Sequence, residues 1–335
     1  MYRMLRMRRR RGRLLATLAL LTAACALTTS GGAATEAPSG GDGGGWGVLA
    51  AELAARAEAQ DQGNGNAFTY ASLAYTLAHL SPAGWKDPQA RAYLRKVMAL
   101  RNPDGGWGLR VPFDAFADGS TNPATTTYTV TQAVHVGMVL LDAYRAGAVG
   151  RPVVEAATRR LLRIPLVPVP GGFCVAYSAA AADDSAGYCV HNVNAGAAMY
   201  LRAVQRAGLP SSALWIRRIT AYETRSYDAR AHSWRYRNGK PALNDASHNA
   251  LSVEAMLSLG SPAGARALRW YMAHGDPSDP RAFWIPLELA SWDCRSAARR
   301  LPEIRAGLER PAVSTEVYLA QAARAAARAA AVCDH

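Results

Sequence analysis

Apolar residues recur at helical spacing along the chain from Trp46 onward, with alanine, leucine and arginine most frequent. No segment sustains the apolar–polar alternation of a half-buried strand. Turn residues divide the pattern into predicted helices at residues 48–60, 67–80, 88–101, 126–146, 152–164, 190–207, 211–227, 244–259, 263–273, 281–292, 295–308 and 313–332. These twelve helices form six consecutive pairs, which is the count of an (α/α)6 toroid. We therefore predict an all-α fold of helical hairpins, with an inner and an outer ring.

Weak internal repeats support the pairing of helices. The tetrapeptide SPAG at residues 81–84 recurs at 261–264, and in both places it ends the second helix of a pair. Other pairs end at a glycine, and aligning these glycines brings further residues into register. The glycines are Gly147, Gly208 and Gly260; the same alignment matches Thr131 with Asn192 and Asn244, and His135 with Gly196 and His248.

The segment RNPDGGWG at residues 101–108 resembles the QW-type repeat ending of the terpenoid cyclase and protein prenyltransferase toroids, with Arg101 where glutamine is usual. Similar turns occur in α/α-barrel polysaccharide lyases. Glycines allow a sharp exit from an outer helix, and the tryptophan fills the space between neighbouring helices. The resemblance implies the toroid, and it says little about the reaction because one fold hosts many functions.

The N-terminal residues predict export. A basic stretch precedes an apolar run at 14–21, which is too short to span a bilayer and fits a bacterial-type signal peptide over residues 1–24. The run ends in LTAAC, which resembles a lipobox with leucine one position early, so Cys25 is either lipidated or removed by cleavage nearby. Residues 25–47 form a Gly/Ser/Pro-rich linker, and residues 48–335 form the toroid domain. We expect a secreted protein or a cell-surface lipoprotein.

The formal charge of +13 changes this picture little. Seven of the 38 basic residues lie in the first 13 positions, and without them the net charge falls to +6. This balance does not favour nucleic acid as a partner, and we expect membrane contact only through the N-terminal lipid anchor.

Four cysteines follow the signal peptide: Cys174, Cys189, Cys294 and Cys333. An even number in an exported protein favours disulfides. Three pairings are open, of which Cys174–Cys189 with Cys294–Cys333 is the most local. Because no CxxC spacing exists, we expect no metal and no cofactor.

The connections from first to second helix of a pair are long, at residues 108–125, 165–189 and 228–243, whereas the other connections are short. One end of the barrel is therefore elaborated, and long ordered loops are usually functional. That end holds the N-termini of the inner helices, which favour anions.

Polar residues gather at the elaborated end, and this set of His, Asn, Tyr and Arg residues resembles that of the toroidal lyases that act on acidic polysaccharides. The resemblance implies β-elimination as the best hypothesis. A base removes a proton beside a carboxylate that an amide or arginine neutralises, and a tyrosine protonates the leaving oxygen. The catalytic candidates are His191 and His248 as base and Tyr188 and Tyr236 as acid. The substrate-binding candidates are Asn192, Asn194, Asn249, Asp245, His135, Arg235, Trp234 and Trp107. The structural alternatives are helix capping for the polar residues and inter-helix packing for the tryptophans.

Three other functions stay open. A glycoside hydrolase needs paired carboxylates, with Asp245 and either Asp114 or Asp183 as candidates. A non-catalytic glycan-binding or scaffold module needs a cleft without a poised base. A terpenoid cyclase-like enzyme is weakened by the absence of a DxDD acid motif. The expected partner is a polysaccharide or another extracellular small-molecule substrate.

Overall fold

The computed structural model describes residues 45–61, 65–116, 119–180, 188–239, 242–274, 281–310 and 315–334. All of these belong to one compact unit, Gly41–His335. The predicted signal peptide, Cys25, most of the linker and Asp183 lie outside the described residues.

The described residues are mostly helical, as the sequence predicts. The helices are α1 (Trp46–Gln60), α2 (Ala67–Leu80), α3 (Pro88–Ala99), α4 (Met138–Arg145), α5 (Arg151–Leu161), α6 (His191–Arg206), α7 (Ala213–Ser226), α8 (Ala246–Ser258), α9 (Pro262–His274), α10 (Trp284–Glu288), α11 (Cys294–Arg299), α12 (Leu301–Leu308) and α13 (Glu316–Cys333). A π-helical segment, Thr131–Gly137, leads directly into α4, and short 3₁₀ turns occupy Gly84–Lys86 and Ala290–Trp292.

The sequence pattern indicated no strands, but the second long connection contains an antiparallel hairpin. Strands β1 (Leu166–Val169) and β2 (Gly172–Val175) pair with Leu166 opposite Val175. Each strand has four residues, too few for the alternation of apolar and polar positions to stand out. The hairpin lies in the second long connection, so it belongs to the elaborated end.

Two predicted helices are interrupted. The helix predicted at 281–292 is helical only over α10 and the following 3₁₀ turn. The helix predicted at 295–308 divides into α11 and α12, with Pro302 in the first turn of α12. Proline fits the first turn of a helix but ends a helix that precedes it, because it has no backbone N–H.

The helices follow one another around a closed series of contacts. The segments α2, Thr131–Gly137 with α4, α6, α8, α10 and α13, here called the inner helices, each contact the next, and α13 contacts α2. Other helices pack on these: α7 on α6, α9 on α8, and α1 against both α13 and α2. One large core cluster of mainly alanine, leucine and valine fills the contacts.

The glycines used for the repeat alignment share one conformation. Gly147, Gly208 and Gly260 have φ of 73°, 71° and 74°, in the left-handed region that side chains disfavour. After each glycine the next backbone N–H turns back to the end of the helix; in the first case Ala148 N donates to the Ala143 carbonyl at 2.7 Å. This is the Schellman type of helix end, and it confirms that the three glycines hold equivalent positions.

The predicted disulfides are confirmed. Cys174 in β2 is joined to Cys189 just before α6, with 5.4 Å between their Cα atoms. Cys294 at the start of α11 is joined to Cys333 at the end of α13, with a Cα separation of 5.5 Å. In the described part of the chain, no helix combines the length and hydrophobicity needed to cross a membrane.

Candidate functional site

A cavity of about 160 Å³, here called the mouth cavity, lies among the N-terminal halves of the inner helices. Its lining takes residues from five elements, among them Phe68, His135, Asn192, His248, Tyr318 and Gln321. The long loops add Tyr177. Three of the predicted site residues, His135, Asn192 and His248, therefore meet at one cavity although they lie far apart in sequence.

His248 and Asp245 form a hydrogen-bonded pair beside the mouth cavity. The Asp245 side chain caps α8 by accepting from the backbone N–H groups of Ser247 (3.0 Å) and His248 (3.1 Å). Its second oxygen lies 2.8 Å from Nδ1 of His248 and 3.3 Å from the guanidinium of Arg281. Burial acts to raise the pKa of Asp245, but the hydrogen bonds from His248 and Ser247 outweigh it and hold this pKa well below its usual range. The carboxylate therefore stays ionised and fixes the imidazole.

Tyr236 is the tyrosine that lies beside this pair. Its ring meets the His248 ring edge to face, with 5.3 Å between centroids. Burial, and after it the charge of Asp245, raises the pKa of Tyr236, so its hydroxyl stays protonated at neutral pH. Tyr188 packs elsewhere, under the guanidinium of Arg237 at 3.6 Å and against Phe116 at 4.9 Å.

Two buried polar atoms at the mouth cavity have no hydrogen-bond partner among the described residues: Nδ1 of His135 and Oδ1 of Asn192. Both residues are less than a tenth exposed, and unpaired buried polar groups are costly. The imidazole of His135 stacks on Phe68 with 3.6 Å between ring centroids. Burial and then the nearby Arg324 hold the pKa of His135 well below its usual value, so the ring is neutral. His135 also lies in the π-helical segment, and such segments often occur at functional sites.

His191 and Asn194 belong to a different cluster. The fully buried Glu223 of α7 accepts from Asn194 Nδ2 at 2.6 Å, and its other oxygen lies 2.8 Å from Nδ1 of His191. Asn194 in turn accepts from the backbone N–H of Val175 at 3.1 Å, which ties α6 to β2. His191 is 4% exposed and does not line the mouth cavity. The structure thus separates His191 from His248 and gives His191 a structural partner, Glu223, that no sequence pattern indicated.

The two predicted sugar-stacking tryptophans are fully buried. The indole N–H of Trp107 donates to the Val97 carbonyl of α3 at 2.8 Å, and that of Trp234 donates to the Glu223 carbonyl of α7, also at 2.8 Å. Each tryptophan therefore links a loop to the helix that precedes it in the chain. The stacking interpretation is wrong for both because neither ring has surface for a ligand, and the packing alternative holds.

The remaining candidates lie near the third long loop. Asn249 is buried, and its Oδ1 accepts from the Ser233 hydroxyl at 3.0 Å. Arg235 is exposed, and its backbone pairs with Leu243 across the loop. Neither residue lines the mouth cavity. Tyr318 and Gln321 do line it, and both were missed because α13 reads as a uniform alanine-rich helix.

Metal ligands are scarce. Within the described ranges the one group of donor atoms close enough for a metal is Cys174, Cys189 and Glu223. The two sulfurs of this group are joined in a disulfide and are not thiolates.

No protein-family model matches the chain, and comparison with curated proteins finds no significant similarity.

Proposed function

We propose that this chain is an exported α/α-toroid protein that binds an acidic carbohydrate at the mouth cavity and cleaves it by β-elimination. The observation that carries the proposal is the Asp245–His248 pair, which holds a partly exposed imidazole at the mouth cavity. Asn192 lines the same cavity, and its amide oxygen has no hydrogen-bond partner among the described residues.

The closed series of helix contacts supports the toroid. The N-terminal halves of the inner helices line the mouth cavity, and the C-terminal halves of α2, α4, α6, α8 and α13 line a second cavity. Helices that contribute the same ends to the same cavity run parallel to one another. In an (α/α)6 toroid the inner helices run parallel to one another, and each outer helix runs antiparallel to them and leads the chain back to the start of the next inner helix.

The electrostatics favour an anionic ligand. Among the described residues that line the mouth cavity there is no aspartate or glutamate, whereas amides, hydroxyls and two imidazoles are present. The helix N-termini add positive potential. In this proposal the Nδ2 group of Asn192 donates to a uronate carboxylate, which stabilises the negative charge that develops when the neighbouring carbon loses its proton, while the Oδ1 of Asn192 accepts from a sugar hydroxyl.

His248 acts as the base. Its Nδ1 is held by Asp245, so the lone pair of Nε2 is the one available to take a proton, as in other carboxylate-oriented histidines. Tyr236 keeps its proton and supplies it to the leaving oxygen. A cavity of about 160 Å³ is comparable to the roughly 150 Å³ engineered cavity that holds benzene, so it has room for one ring.

The hydrolase alternative has weaker support. Asp114 is held by its own loop, where it accepts from the backbone N–H groups of Phe116 (3.2 Å) and Gly119 (2.9 Å). Asp245 is already paired with His248 and Arg281. A pair of free carboxylates facing each other across the mouth cavity is thus absent from the described residues.

Export is part of the proposal. The two disulfides fit an oxidising compartment. The signal peptide and the lipidation of Cys25 rest on the sequence alone. If Cys25 is lipidated, Cys25→Ala releases the protein from membranes into the medium.

The function is tested by incubating the protein with a panel of uronate polymers and following ultraviolet absorbance from unsaturated chain ends. We expect new absorbance with the wild type, its loss in His248→Ala and Tyr236→Phe, and its retention in the control His274→Ala, a histidine exposed on α9. New reducing ends without absorbance would instead identify a hydrolase. Binding without cleavage would identify a glycan-binding module, and neither binding nor cleavage of any polymer would overturn the proposal.

A further inference from the structure

A second cavity, here called the lower cavity, has a volume of about 190 Å³ and lies among the C-terminal halves of the inner helices. Its walls combine apolar side chains, including Met138 and Met199, with charged ones, including Arg324 and Arg328 of α13. The mouth cavity lies at the other halves of the same helices, so the proposed carbohydrate chemistry makes no use of the lower cavity.

Arg328 is paired with both buried glutamates. It forms a salt bridge with Glu254 of α8, and its guanidinium also lies 3.1 Å from a carboxylate oxygen of Glu288 and donates to the Glu288 carbonyl at 2.6 Å. The second carboxylate oxygen of Glu288 accepts from Gln321 at 3.1 Å. Both buried glutamates are therefore engaged, Glu254 by Arg328 and Glu288 by Arg328 and Gln321.

Arg324 forms no salt bridge among the described residues. Within that part of the chain its guanidinium donates only to the backbone carbonyls of Val134 and His135, at 3.4 and 3.5 Å. A guanidinium has five N–H donors, and a half-buried charge without a paired anion is unfavourable. Burial lowers the pKa of Arg324, and the charge of Glu288 opposes this only in part. Arginine nonetheless stays protonated in proteins, so an unpaired cation faces this cavity.

The other carboxylate on the cavity is also committed. Oδ2 of Asp142 in α4 accepts from Nε2 of His79 at 2.9 Å and from the indole N–H of Trp85 at 2.8 Å. Tyr75 faces the cavity from α2, and burial with the charge of Asp142 raises its pKa to about 12, so its hydroxyl remains a neutral donor.

We propose that the lower cavity binds a small monocarboxylate with an apolar body, whose carboxylate pairs with the guanidinium of Arg324. The planar fork of arginine matches a carboxylate in two parallel hydrogen bonds. The methionine and valine walls suit an apolar body, and roughly 150 Å³ suffices for benzene in an engineered apolar cavity. A dianion such as phosphate fits less well, because Glu254 and Asp142 carry negative charge at the same cavity.

The test uses benzoate as the probe, with acetate and inorganic phosphate as comparators, in titration calorimetry and thermal denaturation of the exported protein. We expect benzoate to bind and to raise the melting temperature, acetate to bind more weakly because it fills less of the apolar wall, and phosphate to bind most weakly. Arg324→Gln and Arg324→Met are expected to lose at least tenfold in benzoate affinity. Arg299→Gln, an exposed arginine on α11, is the matched control and is expected to bind as the wild type does.

Ligand-free stability separates a binding role from a structural one. If Arg324 awaits an anion, Arg324→Met removes a half-buried charge that lacks a salt bridge, and the variant melts at the wild-type temperature or above it. A large loss of stability in Arg324→Met, unchanged benzoate binding in that variant, no benzoate binding by the wild type, or tighter binding of phosphate than of benzoate would each overturn the proposal. His248→Ala is expected to bind benzoate normally, so failure of the carbohydrate proposal and failure of this one are distinguishable.

Discussion

The separation of His191 from His248 predicts opposite outcomes for two similar substitutions. His191→Ala removes the partner of one oxygen of Glu223, a carboxylate with no exposed surface, and leaves only Asn194 bound to it. Breaking a buried pair by removing one partner costs about 3–5 kcal/mol. The His248 side chain is 37% exposed, and Asp245 keeps Ser247 and Arg281 after its loss. We therefore expect His248→Ala to cost less than about 1 kcal/mol.

The assay combines urea unfolding with turnover on the polymer that the wild type cleaves. His191→Ala is expected to unfold at lower urea yet retain turnover under conditions where it is folded, whereas His248→Ala is expected to unfold normally and lose turnover. A double-mutant cycle of His191→Ala with Glu223→Gln adds a direct measure of the pair, since contacting residues show coupling of about 0.5–3 kcal/mol.

Two results would refute this reasoning. Additive losses in the cycle, within about 0.5 kcal/mol, would mean that the His191–Glu223 contact contributes nothing beyond its separate parts. A His191→Ala variant as stable as the wild type but without turnover would move the chemistry from His248 to His191.

Three further predictions concern stability. The Cys294–Cys333 disulfide spans 39 residues, so replacing both cysteines with serine is expected to lower the unfolding free energy by about 4 kcal/mol from loop entropy. A variant that unfolds at the same urea concentration as the disulfide-bonded wild type would contradict this. Trp107→Phe removes the indole hydrogen bond to the Val97 carbonyl and leaves a void where the larger, fully buried indole packed, so it is expected to cost about 2–3 kcal/mol without affecting ligand binding, as checked by urea unfolding and calorimetry. The pKa of Asp245 is depressed in the folded protein, so its stabilisation is present above an unfolded pKa of about 3.9 and is lost as the pH falls below it. The stability difference between wild type and Asp245→Asn should therefore shrink between about pH 5 and about pH 3, and a difference that grew on acidification would be contrary to this sign.

The parts of the fold that the sequence predicted are those encoded locally. Single glycines mark the ends of helices. Because each of these glycines ends an equivalent helix, aligning them also predicted which residues of different helices hold equivalent positions. His135 and His248 share a register position and line the same cavity. The presence of disulfides followed from compartment and parity, which depend on composition and not on distant contacts, and the pairing was the most local of the three that were open.

The alignment did not predict on which face of a helix a given residue lies. Successive residues of an α-helix point about 100° apart, so Asn192 faces the mouth cavity while His191, its neighbour, faces Glu223 on α7. The sequence placed both at the elaborated end but did not indicate which faced inward. The tryptophans failed for another reason, since their partners are backbone carbonyls that no side-chain pattern reveals.

The charged cluster of the lower cavity was beyond local reasoning. Glu254, Glu288, Arg324 and Arg328 come from three helices, and each alone looks like an ordinary charge in an apolar helix. Only the relative placement of α8, α10 and α13 makes them neighbours. The one local signal was Arg324 and Arg328, which lie a helical turn apart in the alanine-rich α13. From the sequence, both could equally well face solvent.

The contact between the first and the last helix has a consequence for how the chain folds. The backbone N–H of Gly47 at the start of α1 donates to the Asp334 carboxylate at 3.0 Å, across 287 positions of sequence. Contacts between such distant residues form late, because the entropy of closing a long loop must be overcome first. Until α13 is available, the apolar faces of α1 and α2 that it covers stay open to water. A chain truncated before α13 should therefore be an open, aggregation-prone intermediate that proteases remove. For the export proposed above, carriers that keep the chain unfolded until α13 has crossed should be favoured.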